Sequence, residues 1–179
     1  MVARYLLRAV ADPADDEARA QMLLAASYAG VGFGNAGVHL PHGMSYPVSG
    51  QVKAYRAPGY SAAHPLVPHG ISVILNAPAV FRFTAPADPV RHLQAAAALG
   101  VDVSRAHPAD AGPILADRIT WLMRELKVPN GLGALGYTAE DIPKLVEGTL
   151  QQQRLTTLAP RRASEDDLAM LFEQAMVAW

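Results

Sequence analysis

The sequence contains no cysteine. That removes disulfides and thiolate metal ligands, and leaves His, Asp and Glu as the side chains able to bind a metal directly. It also leaves the redox compartment unreadable. Charge of one sign is missing too: 15 basic residues stand against 16 acidic ones, for a formal charge of −1, so no broad basic surface for nucleic acid or an anionic membrane is expected. No apolar run reaches membrane-spanning length, because Arg82 interrupts the longest candidate, Ile71 to Phe83. The apolar run near the N-terminus is too short for a signal peptide and gives way to acidic residues from Asp12 to Glu17. No stretch reads as a β-strand or an internal repeat. The expectation is a soluble, cytoplasmic chain with neither nucleic acid nor membrane as partner.

What is present suits one globular domain: 179 residues, 51% hydrophobic and 17% charged, enough to bury a substantial core. Asp12-Pro13 reads as an N-cap and first helical residue, with Asp15, Asp16 and Glu17 complementing the helix dipole. Ala18, Met22, Ala25, Ala29 and Phe33 follow at helical spacing, and the small residues among them suggest close approach to a neighbouring helix. Gly30, Gly32, Gly34 and Gly37 have a superficial likeness to a dinucleotide fingerprint, but no strand precedes them. Pro41 opens a second helix, which Pro47 bends or ends. Residues 49–66 read as a loop. Pro68 opens a third helix, evenly apolar from Ile71 to Phe81 and therefore a buried spine, with a kink at Pro78. Asp88-Pro89 caps a helix that runs to Leu99 and stops at Gly100, and residues 108–127 form another with Leu115, Ile119, Leu122 and Met123 on one side. Thr138 to Asp141 and Ser164 to Asp167 are capping boxes that start the last two helices. The apolar stripe of the final one is Leu168, Leu171, Phe172, Ala175 and Met176. The sum is an all-α bundle of roughly six to eight helices.

One tripeptide occurs twice, as Pro41-His42-Gly43 and Pro68-His69-Gly70. Proline favours the first turn of a helix, so each His is expected at a helix start, where the positive end of the dipole disfavours protonation. A neutral imidazole is the form a metal binds. The flanking Gly43 and Gly70 would let backbone, cofactor or substrate come close beside each ring. The alternative is a pair of buried histidines whose ring nitrogens bond backbone carbonyls. The separation of the two fits no short ligand motif.

The run from Gly30 through His39-Leu40-Pro41-His42-Gly43-Met44-Ser45-Tyr46 to Gly50, with His64 to Gly70 after it, resembles the iron-containing alcohol dehydrogenases. Within that family it looks most like the hydroxyacid-oxoacid transhydrogenase branch. Asp110-Ala111-Gly112, Gly136-Tyr137, Asp141-Ile142-Pro143 and Leu158 to Arg161 extend the resemblance over essentially all of this chain, but over only the C-terminal part of the family's chain. It implies the helical C-terminal domain of the dehydroquinate synthase-like fold. It also implies a ferrous or zinc site held by one Asp and three His between two domains, with His42 and His69 matching the two ligands of the C-terminal side. The metal would act as a Lewis acid on an alcohol while a nicotinamide takes the hydride. In the transhydrogenase branch the hydride passes from 4-hydroxybutyrate to 2-oxoglutarate, giving succinate semialdehyde and 2-hydroxyglutarate.

Where much of the family has a second His, this chain has Tyr46, one helical turn from His42. Its phenol cannot carry protons near neutral pH but can hydrogen-bond substrate or cofactor. Lys53 and Arg56, in the loop, are candidates to pair with substrate carboxylates, or are ordinary solvated charges. His64 lacks the Pro-His-Gly setting and is left out of the metal site. The family's N-terminal domain, with the glycine-rich NAD loop and an Asp-x-x-x-His pair of ligands, has no counterpart here. Three readings follow: half of a transhydrogenase-like enzyme, inactive alone and completed by the N-terminal nucleotide-binding domain or a subunit replacing it; a helical binding protein that has lost the chemistry; or a self-contained metal enzyme that recruits Asp102 or Asp110. A partnerless domain would expose an apolar side near His42 and His69, so a homo-oligomer is expected.

Overall fold

The computed structural model describes residues 1–179 and contains ten α-helices and no β-strand. A single isolated bridge, Arg56 to Leu66, closes the expected loop on itself.

Helices α1 (Val2–Ala11) and α2 (Asp16–Ala36) form a hairpin that the sequence reading did not contain. Arg8 of α1 donates to Asp15 at 2.8 Å and to Glu17 at 2.8 Å, fastening the turn. The N-cap of α2 is Asp15, whose carboxylate accepts the Ala18 N–H, and not the expected Asp12. Asp12 ends α1 instead, and its side chain bonds the Ala14 N–H across Pro13. That local bond makes Asp-Pro a turn rather than a helix start. Of the face that reads as a close helix contact, Ala18 is buried, Met22 and Ala25 are half-buried, and Ala29 and Phe33 are exposed, while α2 packs on α1. Leu23, Leu24, Tyr28, Val31 and Phe33 are exposed, and a β-carbon placed on Gly30, Gly32 or Gly34 would meet nothing within 4 Å.

The core lies between α3 (Leu40–Gly50), α5 (Ala77–Thr84), α7 (Ala111–Glu125), α8 (Ile142–Leu150) and α10 (Glu165–Ala175). Helix α5 crosses α7, α3 lies on α8, and α8 lies on α10, while α6 (Pro89–Ala98) covers the other side of α7. Gly112 sits where α7 meets α5: a β-carbon there would stand 3.1 Å from the Arg82 backbone. The stripe read from the last helix is buried as expected, Phe172 and Leu171 completely. Both capping boxes form, and Asp88 caps α6 by accepting the Arg91 N–H.

The apolar spine is buried but is two helices rather than one. α4 (His69–Ile74) stops before Leu75 and Asn76, and α5 begins at Ala77 with Pro78 in its first turn. Proline has no N–H to give and its ring crowds the carbonyl four residues earlier, here Ile74, so the break falls ahead of Pro78 rather than at it. This split, the unread α1 and the short α9 (Gln153–Thr156) raise the helix count above six to eight. Pro47 neither ends nor shortens α3, which runs on to Gly50. Tyr137 donates to the Val48 carbonyl at 2.7 Å, satisfying one of the last unpaired carbonyls of that helix. Burial, with the nearby Asp141 charge, pushes its phenol up to about 12.

Candidate metal centre

The two Pro-His-Gly copies come together. His42 lies in the first turn of α3 and His69 is the first residue of α4, and their ring centroids are 5.4 Å apart with the planes tilted by 58°. The helix starts are fixed by serines three residues on. The Ser45 hydroxyl donates to the His42 carbonyl at 2.7 Å, and the Ser72 hydroxyl donates to the His69 carbonyl at 2.8 Å. Ser49 then bonds Ser72 at 2.9 Å, tying α3 to α4. The repeated unit is therefore Pro-His-Gly-x-Ser, Pro41 to Ser45 and Pro68 to Ser72. The serine was a signal legible in the sequence and missed, and it does positional work.

A bonded, structural histidine looks different in this same chain. His92 is buried, with Nδ1 on the Asp88 carbonyl at 2.7 Å and Nε2 on the Thr84 hydroxyl at 2.8 Å. His42 and His69 engage the protein through their backbone carbonyls and leave their rings to a cleft of about 520 Å³. Burial, and then His69 beside it, pushes the His42 pKa below the ordinary imidazole value. His39, the N-cap of α3, lines a different cavity, and burial followed by the nearby His92 and His42 lowers it as well.

These shifts carry a pH prediction. A histidine whose folded pKa is depressed takes up its proton in the unfolded chain first, so the metal-free protein loses stability as pH falls below the unfolded value of about 6.5. Urea midpoints measured between about pH 7 and pH 5 should fall, and ring-proton NMR titrations of His39 and His42 should inflect below about 6.5. Inflections at or above that value would contradict the burial described here.

The cleft is walled by the end of α2 and the link after it, with Phe33, Gly34, Gly37 and Val38, and by Tyr46, Arg154 and Leu155. Tyr46 lines this cleft with His42, one helical turn away on α3, and with His69 of α4. Gly43 does not admit a ligand: a β-carbon there would stand 2.9 Å from Thr156, so this glycine lets α9 close against α3. Gly70 has open space around it. Lys53 and Arg56 are not in the cleft. Lys53 pairs with Asp141 at 2.7 Å, and Arg56 donates to the carbonyls of Ala62 and Ala63, holding its own loop. His64 is exposed on that loop, and Asp102 and Asp110 also lie away from the cleft, Asp102 accepting the Ser104 N–H and Asp110 ending the turn before α7. No group of three or more His, Asp or Glu side chains in the chain is placed to hold a metal. Arg154 is a cleft residue that sequence reasoning missed, because nothing local marks it.

Two imidazoles without hydrogen-bond partners, at paired helix starts, fit half of a divalent-metal site. Fold and cleft define a class, an all-helical domain that presents a pair of histidines at helix starts to a cleft. The chain belongs to the Fe-containing alcohol dehydrogenase family, whose C-terminal model matches residues 1–176. It is 58% identical over 176 residues to the hydroxyacid-oxoacid transhydrogenase, mitochondrial, of Rattus norvegicus, covering 98% of this chain and 38% of that protein. The protein of that name from Xenopus laevis is 60% identical over the same shares. Among solved structures, 1,3-propanediol oxidoreductase superposes with a TM-score of 0.85 at 28% identity, over 97% of this chain and 42% of that one. The chain therefore spans about two fifths of the length of these relatives. No helix is long and apolar enough to cross a membrane.

Proposed function

We propose that this chain is the metal-binding half of a transhydrogenase-like oxidoreductase and is inactive alone. The observation that carries the proposal is the pair His42 and His69, 5.4 Å apart, with rings left to the cleft while His92 spends both nitrogens on the protein. These two imidazoles would hold ferrous ion or zinc, and a bound ion supplies Lewis acidity toward an alcohol oxygen. Neutral His42 keeps its lone pair for that ion at neutral pH. Tyr46, exposed in the same cleft, offers a phenol for orienting substrate rather than for moving a proton. The substrates are small hydroxy acids and oxo acids. The other metal ligands and the NAD site are proposed to come with an N-terminal nucleotide-binding part, or a subunit in its place. The exposed apolar side chains of α2 border the cleft through Phe33, and are the surface that such a part or a second copy would cover. For compartment the sequence expectation is the cytoplasm, whereas the relatives are named as mitochondrial proteins.

The test is reconstitution. The chain is joined to the N-terminal region of a relative, loaded with ferrous ion or zinc, and assayed for conversion of 4-hydroxybutyrate and 2-oxoglutarate to succinate semialdehyde and 2-hydroxyglutarate. Turnover by the joined protein, with none by the chain alone, is the expected result. A joined protein that folds and holds metal yet turns over no hydroxy acid would overturn the substrate reading, and turnover by the isolated chain would overturn the half-enzyme reading.

A further inference from the structure

The cleft holds one cation with no carboxylate of its own. Arg154, on α9, lines the same cavity as His42, Tyr46 and His69. The ion pairs of the chain engage Arg8, Lys53 and Arg82, and leave Arg154 unpaired. Its one hydrogen bond runs to the Tyr46 hydroxyl at 3.2 Å, across 108 residues of sequence, and its guanidinium carbon stands 5.9 Å from the Tyr46 ring centre. The close seating of α9 on α3 at Gly43 places it there.

The direction of that bond matters. Arginine can only donate, so the Tyr46 oxygen is the acceptor and the phenolic proton remains free. Four further guanidinium N–H groups are also uncommitted within the chain, since Arg154 makes this one bond. A planar fork of donors beside a free phenolic O–H is a receptor for a carboxylate, which accepts two parallel bonds from arginine and a third from a hydroxyl. The two imidazoles line the same cavity, His42 one helical turn from Tyr46, so a ligand anchored by its carboxylate at Arg154 and Tyr46 lies within the cleft that His42 and His69 share.

From this geometry we infer that Arg154, with Tyr46, is the carboxylate anchor of this cleft and selects short hydroxy acids over neutral alcohols of the same length. The inference deepens the proposed function and rests on its assignment of the cleft as the substrate site. It also displaces Lys53 and Arg56 from the anchoring role, since their donors are spent on Asp141 and on loop carbonyls. Arg154 is a specificity-determining residue here. Charge-assisted bidentate bonds are about twice as strong as neutral ones, so the preference for the carboxylate ligand should be roughly tenfold or more.

The test uses the chain as it stands, without metal. It is titrated with 4-hydroxybutyrate and, separately, with 1,4-butanediol, which replaces the carboxylate by a hydroxymethyl group, and the ring signals of His42, His69 and Tyr46 are followed by NMR. The expected result is saturable binding of the hydroxy acid at least tenfold tighter than the diol in the unmodified chain. Arg154→Ala should bring the hydroxy acid down to the diol's affinity, and Arg154→Lys, which keeps the charge without the fork, should restore only part of the gap. Lys53→Ala and Arg56→Ala should leave the preference intact. Equal binding of the two ligands by the unmodified chain, or an Arg154→Ala variant that keeps the preference, would overturn the inference. Zinc titration of Arg154→Ala separates the two proposals. In the protein joined to an N-terminal part, metal binding kept while the carboxylate preference is lost supports both, and no metal binding by that joined protein with the preference still lost in Arg154→Ala overturns the metal reading and leaves the anchor standing.

Discussion

His42→Ala and His69→Ala are each expected to abolish stoichiometric zinc or ferrous binding in the protein joined to an N-terminal part, while His64→Ala leaves it unchanged. The reasoning is one of ligand number. Removing a group that only hydrogen-bonds a metal ligand typically costs about 10–100-fold in metal affinity, and removing a ligand itself costs more. Each variant would leave a single imidazole on this side of the cleft, where the chain offers no third donor to compensate. His64, exposed on the loop and outside the cleft, controls for a nonspecific effect of losing a histidine. Elemental analysis of the purified proteins and calorimetric titration under anaerobic conditions provide the measurement. Full metal content in either His42→Ala or His69→Ala would remove the basis of the proposed function. In the isolated chain two neutral imidazoles bring no compensating charge to a divalent ion, so weak binding that both substitutions eliminate is the expected outcome there. Submicromolar binding by the isolated chain would instead favour a self-contained site.

Phe172→Ala should destabilise the fold by about 3–5 kcal/mol, the range for deleting a buried aromatic ring and leaving a cavity. Phe172 is fully buried in the stripe of α10 that faces α8 and α5. Typical domains have only about 5–15 kcal/mol in total, so the variant should lose a large part of its margin and melt far below the parent. Phe33→Ala is the matched control. That ring is 56% exposed at the end of α2, and a substitution there should stay within about 0.5 kcal/mol in the isolated chain. Urea denaturation of the three proteins decides the matter, and a loss below about 1 kcal/mol for Phe172→Ala would mean that the core can collapse around the gap.

The contrast between those two phenylalanines shows where a sequence stops being informative. Both sit at helical spacing in apolar stripes, and Phe33 reads as a helix-packing residue just as Phe172 does. Periodicity states which side chains share a face, but the partner for that face lies elsewhere in the chain or outside it. The stripe of α10 meets α8 and α5, whereas the stripe of α2 is half-buried only as far as Ala25 and exposed at Ala29 and Phe33.

Signals carried by a few neighbouring residues were legible. The capping boxes at Thr138 and Ser164 and the cap at Asp88 all form, because a side-chain oxygen and the N–H it serves are two or three residues apart. Such signals fail when a second local bond competes. Asp12 has the side chain of a cap and forms a turn, since its carboxylate accepts the Ala14 N–H before α2 begins. The break ahead of Pro78 was misplaced by a few residues for a similar reason: proline acts on the carbonyl behind it.

Taken alone, the sequence determined the all-helical class, the caps and core stripes, the lack of cysteine that confines metal chemistry to His, Asp and Glu, and the kinship carried by two Pro-His-Gly segments. Tertiary structure decided the rest. It set the two rings 5.4 Å apart and left them unbonded. It assigned Lys53 and Arg56 to other duties, and brought Arg154 to Tyr46 across 108 residues. Hydrogen bonds and charges act over a few ångströms, and spacing along the chain bounds such distances only within a helical turn or so. Beyond that, which cation meets which partner is settled by how helices cross, and here by a glycine at position 43 small enough to let α9 approach.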